Sequence, residues 1–261
     1  MSARVLAVAN QKGGVGKTTT TVNLAASLAA ARRRVLLVDL DPQGNATMGS
    51  GVDKRSVRLT VYQVLLGECS AMDARTRSPA AGYDLIGSNR DLAGAEIELV
   101  DVDRRESRLR QALSPCLDEY DFIFLDCPPA LNLLTVNALV AAGAVLIPMQ
   151  CEYYALEGLS DLVETVKRVR EHLNPTLEID GLLRTMYDPR NTLAQQVSRD
   201  LLSHFGDKVY RSIIPRNVRL AEAPSYGLPV LGLDRRSKGA LAYLALAGEM
   251  LARAERPQEA G

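Results

Sequence analysis

Asn10-Gln11-Lys12-Gly13-Gly14-Val15-Gly16-Lys17-Thr18-Thr19 decides how the rest of the chain is read. The apolar run Val5-Leu6-Ala7-Val8-Ala9 precedes it and predicts a buried strand. Thr20 to Ala31 follows, with Val22, Leu24, Ala25, Leu28 and Ala29 spaced as on a helix packed against a sheet. A strand, a glycine-rich turn and a helix N-terminus together form a phosphate cradle. Main-chain N–H groups point inward, the helix dipole favours an anion, and glycines let the backbone approach closely. In such a cradle Lys17 reaches the β- and γ-phosphates and the Thr18 hydroxyl holds Mg²⁺. Gly13, Gly14, Val15, Gly16 and Thr19 supply the rest of its wall. The strict pattern GxxxxGK[ST] places glycine at position 11, where this chain carries Gln11. A second lysine, Lys12, opens the loop instead.

KGGVGKT resembles the deviant Walker A loop of the ParA/MinD family of P-loop ATPases. The resemblance implies ATP as the nucleotide. It also implies an ATP-dependent homodimer in which Lys12 crosses the interface to the partner's nucleotide.

At 261 residues the chain matches the upper size of a single α/β domain, and 47% apolar residues suffice for a core between two helical layers. Residues 1–254 are expected to form one ATPase domain, and 255–261 a flexible tail. Formal net charge is zero, so no bulk field points to nucleic acid or membrane. The charge is nevertheless uneven. Asp84 to Asp126 holds eleven acidic and five basic residues, whereas Arg184 to Arg219 holds seven basic and three acidic. A polyanion is therefore expected to meet the C-terminal half. Cys69, Cys116, Cys127 and Cys151 form no CxxC pair, which argues against structural zinc and a disulfide framework. With no signal peptide and no long apolar run, the expected location is cytoplasmic.

Val35-Leu36-Leu37-Val38 predicts a second buried strand, running into Asp39-Leu40-Asp41-Pro42-Gln43-Gly44-Asn45. Carboxylates at the C-terminal tip of a strand lie where α/β sheets bind ligands. DLDPQGN resembles the family's switch I. That resemblance gives Asp41 the task of orienting the attacking water, and Asp39 the support of the loop and metal site. A turn-capping carboxylate is the competing reading for Asp39. Asp121-Phe-Ile-Phe-Leu-Asp126-Cys-Pro-Pro129 has the Walker B form, a buried strand ending in a carboxylate that serves the Mg²⁺ shell. Expected metal-site residues are thus Thr18, Asp39 and Asp126, and expected catalytic ones are Lys12, Lys17 and Asp41. Downstream, helices are predicted over 60–66, 92–100, 106–117, 131–142, 155–173, 192–205 and 237–254. Strands are predicted over 83–88, 144–149, 177–186 and 209–214, with 215–219 a loop. Strands alternating with helices predict a mostly parallel sheet covered on both faces.

IIPRNVRLAEAPSYGLPV resembles the ParA/Soj branch of the family. There the P-R-N segment borders the adenine, which implicates Pro215 and Asn217. The same resemblance gives DNA-binding roles to Arg190 and Arg219. Arg216 joins them as a basic loop residue, with a nucleotide-side role as its alternative. The implied function is an ATPase of chromosome or plasmid partition. Its ATP-bound dimer holds double-stranded DNA without sequence preference and lets go when a ParB-type partner stimulates hydrolysis. Such a protein associates with the nucleoid. One alternative is a ParA-like ATPase that positions another cargo. Another is a MinD-like membrane-cycling ATPase, which needs a basic amphipathic C-terminal helix. Gly239 to Ala254 carries only Glu249 and Arg253 as charged residues, so no membrane partner is expected.

Overall fold

The first strand, β1 (Arg4–Val8), lies near the middle of an eight-stranded sheet in a computed structural model that describes residues 2–254. It leads through the glycine-rich loop into α1 (Lys17–Ala30), then β2 (Val35–Asp39), and after a short loop α2 (Asn45–Gly49) and α3 (Val61–Leu66). Next come β3 (Arg75–Arg77), β4 (Asp84–Ile86), α4 (Leu92–Glu98), α5 (Arg108–Leu113) and β5 (Phe122–Asp126). The second half alternates: α6 (Leu133–Ala141), β6 (Ala144–Gln150), α7 (Ala155–His172), β7 (Glu178–Tyr187), α8 (Thr192–Phe205) and β8 (Val209–Pro215). Three α-helices end the described residues: α9 (Val218–Glu222), α10 (Val230–Leu233) and α11 (Lys238–Ala254). The strand order is β3-β4-β2-β5-β1-β6-β7-β8. Every pairing is parallel except β3 with β4.

Two apolar layers cover this sheet, as a parallel sheet requires. Leu6, Val8, Leu37 and Phe124 face the layer of α1 and α9 to α11, into which Leu28, Tyr243 and Leu246 pack. Val5, Ala7, Leu36 and Ile123 face the layer of α3 to α8, meeting Leu65, Leu109, Leu139 and Leu162. The period-two alternation of each strand therefore feeds two separate cores.

Register is what builds the site. Val8 pairs with Asp126, and Asp39 pairs with Asp126, so the tips of β1, β5 and β2 stand abreast. The cradle and both carboxylates thus leave the sheet at one level.

Four features depart from the sequence expectation. The predicted helix over 106–117 is cut to α5 between two 3₁₀ turns, because Pro115 lies in the Ser114–Cys116 turn and cannot continue α-helical bonding. The predicted loop over 215–219 contains the start of α9, capped by Asn217. The three residues of β3 form an antiparallel edge strand, and α2 follows switch I at once. These last two are too short to leave a periodic signal. The expected tail, 255–261, lies outside the described residues.

Candidate active site

Gly14 (φ +75°) and Gly16 (φ +88°) adopt left-handed backbone, which a side chain at Cβ disfavours. Gly16 is the residue preceding α1 and brings no side chain to cap it. The first-turn amides therefore find no side-chain acceptor at that position, an arrangement that suits an anion. Lys17 is only 7% exposed, and its Nζ donates to the Lys12 carbonyl at 3.1 Å. Burial lowers its pKa, while the charges of Asp126, Cys127 and Asp41 act the other way. The loop is braced from two sides. Asn10 Oδ1 accepts the Lys12 amide while its Nδ2 donates to the Pro148 carbonyl, and Thr185 Oγ1 donates to the Val15 carbonyl.

Asp126 is fully buried, and each of its oxygens accepts one hydroxyl at 2.8 Å: Thr18 Oγ1 on Oδ2 and Thr21 Oγ1 on Oδ1. Thr21 carries no role in the sequence reading, yet it sits three residues beyond Thr18 and so shares its helix face. Asp39 is equally buried. Its Oδ1 accepts the Asp41 amide, and its Oδ2 accepts both the Thr47 amide and the Thr47 hydroxyl. These hydrogen bonds of Asp39 all go to the switch I segment and α2. Burial pushes both carboxyls above the ordinary range, and for Asp126 the Asp39 charge adds to the effect. Among the described residues no cationic side chain bonds either carboxylate. Two such buried groups at one sheet edge are a fitting donor set for a hard cation. Thr18 and Asp126 offer the oxygen ligands that Mg²⁺ takes. Asp41 lies nearer solvent, with Oδ1 accepting the Gln43 amide at 2.9 Å.

Beside the cradle lies a cavity of about 170 Å³ lined by Gly16, Thr19, Met186, Pro215, Asn217 and Tyr243. Pro215 and Asn217 therefore stand together next to the loop. Asn217 Oδ1 accepts the Leu220 amide and caps α9, so its Nδ2 is the donor left for a base edge. Met186 lines the same cavity with φ +47°, a strained value for a residue with a side chain.

Residues 3–179 match the AAA domain family model. The chain is 54% identical to the chromosome partitioning protein ParA of Caulobacter vibrioides, over 98% of this chain and 97% of that protein. It is 53% identical to the sporulation initiation inhibitor protein Soj of Bacillus subtilis, over 95% and 98%. This chain belongs to the ParA/Soj family of P-loop ATPases. Its fold superposes with a TM-score of 0.85 on a Mycobacterium smegmatis protein described as cobyrinic acid a,c-diamide synthase, solved with an ATP analogue and magnesium. That structure is 40% identical, and the match covers 97% of this chain and 96% of the other.

In this ParA/Soj chain the Lys12 side chain bonds outside its own loop. Its Nζ meets Glu152 Oε2 at 2.6 Å, just past the end of β6, with both side chains nearly half exposed. Glu152 is a partner that the sequence reading misses. Two of the three arginines expected to meet DNA, Arg190 and Arg219, are also paired with carboxylates. Arg190 binds Asp188 through Nε at 3.0 Å and a terminal nitrogen at 2.8 Å. These bonds hold the Asp188 carboxyl down at about 2, with Arg216 adding charge nearby. Arg216 also lines the base-side cavity, so it stands between the two roles expected of it. Arg219 meets Glu222 at 2.8 Å and Asp234 at 3.7 Å. Cys127 is buried, and among the described residues no group of three or more His, Cys, Asp or Glu side chains is arranged for a metal ion. No described helix is long and apolar enough to cross a membrane.

Proposed function

We propose that this chain is a DNA-partitioning ATPase that hydrolyses ATP with Mg²⁺ and works as an ATP-dependent homodimer. The observation that carries the reading is the set of buried Lys17, half-buried Thr18 and buried Asp126 at the bare N-terminus of α1. Lys17 and the first-turn amides bind the phosphates. Thr18 and Asp126 hold the cation, which neutralises phosphate charge when bound. Pro215 and Asn217 bound the adenine. Asp41 orients the attacking water, and Asp39 fixes the loop that carries it. Lys12 exchanges Glu152 for the nucleotide of the partner subunit. That exchange is easy, because an ion pair this exposed is worth about 0–1 kcal/mol.

The relatives named for chromosome partitioning support a role in DNA segregation. Arg190, Arg216 and Arg219 are the phosphate contacts in this reading. A ParB-type centromere-binding protein stimulates hydrolysis and so releases the dimer from DNA. The protein works in the cytoplasm, on the nucleoid. The membrane-cycling alternative draws no support from α11, whose Tyr243, Leu246 and Met250 are buried in the core and whose Glu249 and Arg253 bond each other.

Asp41→Ala tests the cycle. Water positioning matters only in the transition state, so the variant should bind ATP and Mg²⁺ normally but hydrolyse roughly a hundredfold more slowly. Light scattering with Mg²⁺-ATP should then report a persistent dimer. A monomer, or a wild-type rate, removes Asp41 from this role.

A further inference from the structure

Switch I does not stand on β2 alone. The end of β4 runs into Gly87 and Ser88, and this segment is bonded both to switch I and to α2 behind it. Ser88 is fully buried. Its Oγ donates to the Asp41 carbonyl at 2.8 Å, and its amide donates to Thr47 Oγ1 at 2.9 Å. Thr47, also fully buried, donates its own hydroxyl to Asp39 Oδ2 at 2.7 Å. A continuous relay thus runs from the Ser88 amide through the Thr47 hydroxyl to Asp39, while the Ser88 hydroxyl pins the main chain of Asp41.

Close packing makes the arrangement rigid. Gly44 has φ +61°, and a Cβ there would lie 2.7 Å from the Ser88 carbonyl oxygen. A Cβ on Gly87 would lie 3.1 Å from Thr47 Cγ2. The platform is held from behind as well, since the Val61 amide at the start of α3 donates to the Gly87 carbonyl at 2.9 Å. Thr60 and Gln63 form a capping box that fixes that start.

We propose that Ser88 and Thr47 are positioning residues for hydrolysis, holding Asp41 through its main chain at the point where the attacking water must be aligned. They touch neither the phosphate cradle nor the base-side cavity. Removing the Ser88 hydroxyl should therefore leave nucleotide binding intact and misplace Asp41, and removing that of Thr47 should loosen Asp39, which fixes the same loop. A small misplacement is costly, because an error of about 1 Å in a reacting geometry slows a reaction by up to roughly 10²-fold. The inference rests on the role given to Asp41 above.

The test uses steady-state hydrolysis, nucleotide titration and thermal unfolding on the full chain. Ser88→Ala should lower kcat about tenfold, with KM and ATP affinity within about twofold of wild type. Thr47→Val, which keeps the shape but removes the hydroxyl, should act in the same direction. Thr47→Ser, which keeps the hydroxyl, should restore kcat to within about twofold of wild type. Asp41→Ala is measured beside them. A folded Ser88→Ala protein with wild-type kcat overturns the proposal, as does a Thr47→Ser protein as slow as Thr47→Val. If Asp41→Ala is slow and Ser88→Ala is not, only this inference falls. If Asp41→Ala hydrolyses at the wild-type rate, both readings fall.

Discussion

Lys12 makes two separable contacts. Its carbonyl accepts Lys17 Nζ at 3.1 Å, and its side chain reaches Glu152 at 2.6 Å. Lys12→Ala deletes the second interaction and keeps the first, so Lys17 stays in place. The variant should bind nucleotide as a monomer with affinity within about threefold of wild type. It should fail to dimerise with ATP, because no lysine then reaches across to the partner's nucleotide. Lys17→Ala should instead abolish nucleotide binding altogether, since it removes the charge that offsets the phosphates. Calorimetric titration and light scattering on both variants separate these outcomes. Normal ATP-dependent dimerisation by Lys12→Ala would refute the trans role. At this scale the sequence discloses residues whose chemistry is fixed by local order: Lys17 after the glycines, and Asp39 and Asp126 at strand tips. Thr47, Ser88 and Glu152 stay hidden. Thr47 and Ser88 meet when the tip of β4 is brought beside the start of α2, and Glu152 gains Lys12 when the end of β6 is brought beside the glycine-rich loop, each a segment remote in the chain.

The long elements are those the sequence shows best. The predicted helix over 192–205 coincides with α8, and the predicted strand over 144–149 falls short of β6 by one residue. Their patterns run through several periods, so a single misleading residue changes little. The short helix α9 is different. Five residues give no periodicity, and the proline, asparagine and arginines of its leading segment read as a loop. Its signal is the cap itself, because Asn217 accepts the Leu220 amide as an N-cap asparagine does. That dual position makes Asn217 testable. Asn217→Ala removes the cap and the donor together. It should destabilise the protein by about 1 kcal/mol, shifting Tm by roughly 2–4 °C, and weaken ATP binding. Asn217→Asp keeps an acceptor for α9 and places negative charge at a helix N-terminus, where it is favoured. It should keep the wild-type Tm yet still weaken ATP binding, since no amide donor remains for the adenine. Differential scanning calorimetry beside nucleotide titration reads both. Wild-type ATP affinity in Asn217→Asp would take the base role away from this residue.

Over the whole molecule the charges cancel, so any hold on DNA must come from a local patch. Arg190 and Arg219 follow closely on the two segments that line the base-side cavity. Arg190 comes four residues after Met186, and Arg219 two after Asn217. In this state both arginines are occupied by carboxylates of their own segments, Asp188 and Glu222. Those pairs are largely exposed, hence weak, and a phosphate can replace the carboxylate at little cost. One monomer presents few such arginines. A dimer would present twice as many, which would make the proposed DNA binding depend on ATP without any change in the patch itself. Binding of this kind is indifferent to sequence and sensitive to salt, each neutralised phosphate contributing about 0.9 to the slope of log K against log salt. Arg190→Glu and Arg219→Glu should each abolish binding to random-sequence duplex at moderate salt while the ATP-dependent dimer still forms. Arg190→Ala, a milder change, should leave measurable binding with a slope flatter by about 0.9 for each phosphate no longer neutralised. Fluorescence anisotropy across a salt series, with light scattering on the same samples, measures both effects. Wild-type affinity in the two glutamate variants would move the DNA surface elsewhere on the dimer. An unchanged salt slope in Arg190→Ala would show that Arg190 meets no phosphate.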